Sequence, residues 1–161
     1  MSKPFECSQC GLCCLGIGEI VRMDRKISEY RYTVINEVVR EEREAEITPE
    51  YREIFDNDKS IQKEHPAACF FVRKRADGKY VCTIHPYRLF ICKDYCCCRA
   101  RIYKSGAEAG KVKGLYTIIT KDENLKKLWY ENVQMNKNAD DKFTESILKK
   151  FGYSILFYDN E

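Results

Sequence analysis

Ten cysteines in a chain of 161 residues are the feature that most limits how this protein can fold. Four of them lie in the first fourteen residues, in a Cys-x-x-Cys-x-x-Cys-Cys pattern that begins at Cys7. Thiols at this density are either joined as disulfides or bound to metal. We expect metal, because no apolar leader precedes Cys7 and the chain therefore reads as cytoplasmic, where thiols stay reduced.

Composition narrows the class of protein further. The length suits one domain, and a hydrophobic fraction of 44% with 12% aromatic residues can fill a modest core. The net charge is only +3, and its basic and acidic residues are interleaved. We therefore expect no nucleic-acid partner. We also expect no membrane association, because no stretch approaches the roughly 20 apolar residues of a membrane span.

The order of predicted elements indicates an α+β fold in a small single domain. We expect a metal-centred cysteine loop and a β-hairpin, packed against several helices. The cysteine-cluster part would cover residues 1–103 and a helical C-terminal part would cover residues 104–161. Within the second part, residues 104–114 read as a flexible loop or weak helix, and amphipathic helices begin at Asp122 and Asp140.

Two further segments have clear patterns. Residues 27–46 place apolar side chains at helical spacing beside an Arg- and Glu-rich face, which predicts a long amphipathic helix. A strand is expected at residues 18–23, and a helix is expected to begin with Thr48 and Pro49.

A β-hairpin is predicted in the middle of the chain. Residues 68–74 and 79–84 are strand candidates, and the Asp77-Gly78 pair between them is a strong turn signal. Cys69 stands near the start of this hairpin and Cys82 near its end. Because the two ends of a hairpin lie side by side, the fold would bring these two thiols together.

The front cysteines have spacing typical of an iron–sulfur cluster. Three thiolates at intervals of three, as in C-x₂-C-x₂-C, hold three corners of a 4Fe–4S cluster whose fourth ligand lies elsewhere. Zn²⁺ is the alternative, since it takes four tetrahedral ligands and often binds C-x₂-C pairs. The adjacent pair Cys13-Cys14 suits a single ion poorly, because neighbouring side chains point apart.

The candidate metal ligands come from both cysteine-rich regions. Seven or eight thiolates exceed one tetrahedral site, so the chain would hold one cluster with spare thiols or a cluster and a second metal. Alternatives remain for single residues: Cys69 could be a small core residue, and His85 could be a turn residue or a ligand. Which of Cys96, Cys97 and Cys98 ligates is open. The predicted ligands are Cys7, Cys10, Cys13, Cys14, Cys69, Cys82, Cys92 and Cys96.

These motifs resemble a known family. The opening Phe5-x-Cys-x-x-Cys-Gly-x-Cys-Cys14, the piece Cys69-Phe-Phe71 and the run from Cys82 to Tyr95 are similar to the YkgJ-type cysteine-cluster proteins, described as zinc- or iron-chelating domains. The resemblance covers roughly residues 5–95. Leu89 stands where the family has Pro, and Lys93 where it has Arg; neither change removes a thiol.

The resemblance implies metal binding and little more about the biochemical role. Some members are labelled iron–sulfur oxidoreductases, and a related cluster occurs in flagellin lysine N-methylases. The sequence shows no G-x-S-x-G, P-loop or dinucleotide motif, and no S-adenosylmethionine-binding loop, so methyl transfer is not carried over.

We therefore expect an iron–sulfur protein that transfers electrons or helps to mature or modify a partner protein. The alternatives are a zinc-binding structural or interaction module and a carrier that binds ions loosely. A protein partner, either a redox partner or a modification target, is expected in the first case. An acidic partner could dock on the basic residues near the cysteines, which are Arg88, Lys93, Arg99, Arg101 and Lys104.

Overall fold

The structure is a computed structural model that describes residues 3–159. It divides into two compact units: one is Cys7–Tyr95, and the other joins residues 3–6 to residues 96–159. Both units combine strands with helices, which confirms the α+β class. The division between the units falls at residues 95 and 96, whereas the boundary expected at residue 103 lies within a strand.

The strands in chain order are β1 (Lys3–Pro4), β2 (Val21–Lys26), β3 (Arg31–Asn36), β4 (Glu41–Glu46), β5 (Val72–Lys74), β6 (Tyr80–Cys82), β7 (Ala100–Lys104), β8 (Ala107–Lys113), β9 (Thr117–Thr120) and β10 (Tyr153–Asp159). The α-helices are α1 (Arg52–Asn57), α2 (Ser60–Glu64), α3 (Phe90–Asp94), α4 (Glu123–Trp129) and α5 (Asp141–Lys150). Short 3₁₀ turns lie at Ile17–Glu19, Pro49–Tyr51 and His85–Tyr87, and a π-helical turn, Tyr130–Gln134, continues α4.

The helix expected over residues 27–46 is wrong, because this segment forms β3 and β4. The two strands pair with β2 in an antiparallel sheet that has β3 at its centre. The β-branched run at residues 33–35 suits a strand. The Asn36 side chain accepts the Val38 N–H and Arg40 adopts a φ of +55°, so the backbone turns back where a helix would continue.

The predicted hairpin is confirmed as β5 and β6. The two strands are antiparallel, with Val72 opposite Cys82, and Gly78 supplies a φ of +82° in the turn. Asp77 accepts the Lys79 N–H and closes the same turn. The hairpin therefore places Cys82 beside the backbone that follows Cys69.

The core of the Cys7–Tyr95 unit is built around aromatic rings. Tyr32, Phe55, Phe70 and Phe71 pack edge to face with ring centroids 5.0–5.8 Å apart. Phe71 is fully buried, and this arrangement holds the two residues after Cys69 against β3 and α1. Aromatic pairs of this kind add about 0.5–1.5 kcal/mol each beyond their buried area.

The other unit contains a five-stranded sheet in the order β1-β10-β7-β8-β9, in which β1 and β10 are parallel. The helices expected from Asp122 and Asp140 are confirmed as α4 and α5, and both aspartates accept main-chain N–H groups as N-caps. The loop or weak helix expected at residues 104–114 is wrong: it is β8, joined to β7 through Gly106 at φ +82°. This C-terminal part is thus a sheet with two helices.

One member of the expected basic docking surface is not on the surface. Arg101 is only 7% exposed, and its guanidinium lies 5.6 Å from the Phe5 ring centroid and 5.4 Å from that of Tyr158. Its position on the central strand β7 explains the burial. A docking surface on the remaining basic residues stays a prediction.

The helices of residues 3–159 were compared with what a membrane span requires. Within residues 3–159, no helix has both the length and the apolar composition that crossing a bilayer requires.

Two buried threonines allow a direct test of this core. Thr83 is fully buried and its hydroxyl donates to the Phe71 carbonyl at 2.8 Å, whereas the buried Thr33 hydroxyl has no partner among residues 3–159. We expect Thr83→Val to lower the free energy of unfolding by about 1 kcal/mol, since the buried Phe71 carbonyl loses one of its two donors and keeps the Thr83 N–H. Thr33→Val, the matched control, should be neutral or stabilising in the same urea titration. Equal losses would contradict the hydrogen-bond assignment.

Candidate metal centre

The front loop is seated on the hairpin by backbone contacts. Gln9 and Gly11 adopt left-handed φ values of +55° and +78°, which turn the loop sharply. The Tyr80 N–H donates to the Gln9 carbonyl at 2.9 Å, and the Tyr80 ring lies where a side chain on Gly11 would be. The loop is therefore folded against β6 by its own turn geometry.

A second anchor joins the front loop to the start of the hairpin. The Cys69 N–H donates to the Cys14 carbonyl at 2.8 Å, and the Gly18 N–H donates to the Ala67 carbonyl at 2.9 Å. These two bonds bring the backbones of Cys14 and Cys69 into direct contact. Residues 55 positions apart in sequence are thereby neighbours.

Five of the predicted ligands come together in what we call the thiol cluster: Cys13, Cys14, Cys69, Cys82 and Cys92. All five carry reduced thiols. Cys69 is buried in the hydrophobic core of the unit, and Cys14, Cys82 and Cys92 pack against that same core. Charge on Cys69 acts on Cys14, Cys82 and Cys92, and charge on Cys13 acts on Cys92.

Burial and mutual repulsion dominate the titration of the thiol cluster. Burial first, and then the neighbouring Cys69 sulfur, raise the pKa of Cys82 to about 12 and that of Cys92 to about 11. The Cys13 and Cys14 thiols are hydrogen-bonded to each other, which lowers the pKa of Cys13 and raises that of Cys14. Several thiolates in so small a space need a cation to be stable together.

Main-chain N–H groups surround the sulfurs and favour their anionic form. Those of Phe71 and Val72 lie beside the Cys69 sulfur, and that of Ile84 lies beside the Cys82 sulfur. In the front loop, the Gln9 N–H donates to Cys7 Sγ at 3.3 Å. Hydrogen bonds of this kind stabilise thiolates and tune metals bound to them. The donor set thus fits thiolate-bound metal.

The side chains are gathered but not yet in ligating geometry. Among the described residues, no three His, Cys, Asp or Glu side chains already form an arrangement able to hold a metal ion. Binding would require the sulfurs to turn toward a common point, as is usual where metal binding is coupled to folding.

The remaining predicted ligands lie in other settings. Cys7 and Cys10 are exposed in the front loop, and Cys96 is half-buried at the start of the second unit. His85 is exposed and begins a 3₁₀ turn, and its pKa is lowered by burial and by Arg88. Cys7, Cys10 and Cys96 stay predictions as ligands, and His85 stays open between a turn residue and a ligand.

An open cavity of about 220 Å³ borders the thiol cluster at Cys82. Tyr51, Thr48 and His85 contribute to its lining, together with Gln9 of the front loop. The lining combines polar groups with Val81 and Pro86, so this cavity gives solvent a route to the neighbourhood of Cys82.

Two polar residues beside the cluster are not signalled by the sequence. Arg73 and Gln62 are packed against the backbone of residues 69–72. Arg73 sits between Val72 and Lys74 in a strand, where alternation of polar and apolar residues predicts a solvent-facing side chain. Its burial depends on α1, whose Phe55 ring and carbonyl contact the guanidinium.

Comparison of this chain with protein-family models, with curated proteins and with solved structures finds no match.

Proposed function

We propose that this protein binds a metal centre through the thiolates of its Cys7–Tyr95 unit, and that the centre is an iron–sulfur cluster of the 4Fe–4S type. The observation that carries the proposal is the convergence of Cys14, Cys69, Cys82 and Cys92 around one buried region. Four thiolates are the number that such a cluster requires.

The front loop favours iron–sulfur over zinc. The C-x₂-C-x₂-C spacing belongs to cluster proteins, and the chain offers more thiols than one tetrahedral ion can use. The resemblance of residues 5–95 to YkgJ-type cysteine-cluster proteins supports metal binding by these thiols, with either zinc or iron. Because the cluster takes four thiolates, Cys7, Cys10 and Cys13 are spare thiols or ligands of a second metal in this proposal.

The chain's own residues would bury the thiolates, orient them and exclude water. Phe71, Ile84 and Leu89 are buried beside the thiol cluster and provide its apolar walls. The N–H groups near Cys69 and Cys82 would hold the negative charge of the sulfurs. A bound cluster supplies one-electron chemistry to such a site.

The biochemical role we propose is electron transfer, or the maturation or modification of a partner protein, in the cytoplasm. The exposed front loop with Cys7 and Cys10 is the part of the site that a partner could reach. Electrons or a transferred group would then pass over a short distance between partner and centre.

Zinc is the second candidate, because four thiols, the number packed in or against this core, are also the number of ligands that one tetrahedral Zn²⁺ takes. In that case the centre would serve structure or partner binding, without redox chemistry. Its contribution to folding would be the same, since residues 14 and 92 must meet on one ion.

Metal analysis of the full chain purified without oxygen tests the proposal. We expect a brown protein with iron and acid-labile sulfide in equal amounts, and a spin-resonance signal on reduction. A colourless protein with stoichiometric zinc would identify the zinc module and contradict the cluster. A chain that holds neither metal, even after reconstitution, would contradict metal binding altogether.

A further inference from the structure

Arg73 places a positive charge inside the core of the Cys7–Tyr95 unit. It is 1% exposed, and its guanidinium lies over the Phe55 ring at 4.3 Å from the ring centroid. Burying a charge is costly unless an opposite charge and a full set of hydrogen bonds offset the lost hydration. The surroundings of this arginine therefore need an explanation.

The hydrogen bonds of Arg73 go to main-chain carbonyls. Nε and Nη2 donate to the Phe55 carbonyl at 3.2 and 3.1 Å, and Nη1 donates to the Phe70 and Val72 carbonyls at 2.8 Å each. Within the described part of the chain, no carboxylate forms an ion pair with it. Arg73 is thus satisfied as a donor while its charge remains unpaired.

Several groups that can become anionic act on Arg73 from a distance. Asp58 has the largest effect, followed by the Cys69 sulfur. The Asp58 carboxylate, however, is already engaged by the N–H and hydroxyl of Ser60 and lies near solvent. After Asp58, the largest effect comes from Cys69, the most buried thiol of the cluster, followed by the Tyr32 hydroxyl and the Asp56 carboxylate.

Arg73 and Gln62 also hold the loop that carries Cys69. The Gln62 side-chain amide donates to the Cys69 carbonyl at 2.9 Å and shares the Phe70 and Val72 carbonyls with Arg73. With these carbonyls bound from one side, the Phe71 and Val72 N–H groups are left facing the Cys69 sulfur. The two side chains differ in charge but act on the same backbone.

We infer that Arg73 is the buried counter-charge of the metal–thiolate centre, and that it positions the Cys69 loop for ligation. This inference rests on the proposed metal binding. A centre built from four thiolates and a divalent ion is anionic, so a guanidinium fixed beside it stabilises the bound form more than the metal-free form. Arg73 is a positioning residue and not a ligand.

The test compares Zn²⁺ affinity, measured by competition with a chromophoric chelator, in the full chain and three variants. Arg73→Gln removes the charge and keeps a hydrogen-bonding side chain, and should weaken affinity about tenfold or more. Arg73→Lys keeps the charge and should recover most of the loss. Gln62→Met, the matched control, removes uncharged contacts to the same stretch of backbone and should weaken affinity less than Arg73→Gln does, because the buried charge stays in place. A second readout, urea unfolding with and without Zn²⁺, follows each variant.

The outcomes separate the two proposals. Wild-type chain that binds no Zn²⁺ and no iron would overturn metal binding and this inference together. If the wild-type chain binds metal and Arg73→Gln has the same Zn²⁺ affinity as wild type or as Gln62→Met, the counter-charge role alone is overturned. Arg73→Gln chain that fails to fold with or without metal, or folds only with metal bound, would place Arg73 in the fold itself and also overturn the inference.

Discussion

Replacing Cys69 with alanine is expected to abolish high-affinity metal binding. Cys69 is the most buried member of the thiol cluster, and its charge acts on Cys14, Cys82 and Cys92. Substituting a residue that only contacts the ligands costs about 10–100-fold in metal affinity. Loss of a ligand itself should therefore lower metal affinity by roughly a hundredfold or more. The measurements are bound metal per chain and Zn²⁺ affinity by chelator competition.

Cys98→Ala is the matched control for this experiment. Cys98 is as buried as Cys69, at 2% against 8% exposed, but it belongs to the second unit. Both substitutions delete one buried sulfur and should cost similar stability in metal-free protein. Only Cys69→Ala should also remove the stabilisation that metal gives. Equal metal content in the two variants would contradict the assignment of Cys69.

Gly18→Ala is expected to destabilise the Cys7–Tyr95 unit by about 3 kcal/mol, the upper end for overpacking a close contact. A Cβ on Gly18 would stand 2.3 Å from the Ala68 carbonyl oxygen and 2.8 Å from that of Ala67. Both atoms are main chain and cannot rotate away. The front loop would have to lift from the segment before Cys69, so metal affinity should fall together with the urea midpoint.

Gly16→Ala, two residues earlier, is the control for this substitution. A Cβ at Gly16 meets nothing within 4 Å, and its φ of −121° is open to any residue. We expect the free energy of unfolding of Gly16→Ala to lie within about 1 kcal/mol of the wild-type value, either above or below it. If both alanines had the same effect, the close approach of Gly18 to Ala67 and Ala68 would not be what holds the loop in place.

Local signals were sufficient for the hairpin and for the helices of the second unit. Asp77-Gly78 is a turn whose geometry depends on two residues, and the N-caps Asp122 and Asp140 act within one helical turn. These interactions are formed by near neighbours in sequence, so their residue types predict them.

Residues 27–46 show where local reading fails. Their apolar spacing fits a helix, and the Glu- and Arg-rich stretch of β4 is itself favourable to helix. Pairing with β2 and burial of Val34 against the aromatic core favour strands instead. Long-range partners decided the outcome, because side-chain packing outweighs weak intrinsic preferences.

For the candidate site, the amino-acid sequence by itself determined the kind of donor atom and its supply: cysteine thiols in a front loop and in a middle segment. The hairpin signal in the sequence already predicted that Cys69 and Cys82 lie together. Only the tertiary structure decided that Cys14 and Cys92 pack against the same core, and that Arg73 is buried against the loop that carries Cys69. Donor chemistry is a property of each residue alone, whereas proximity and burial arise from contacts between segments far apart in the chain.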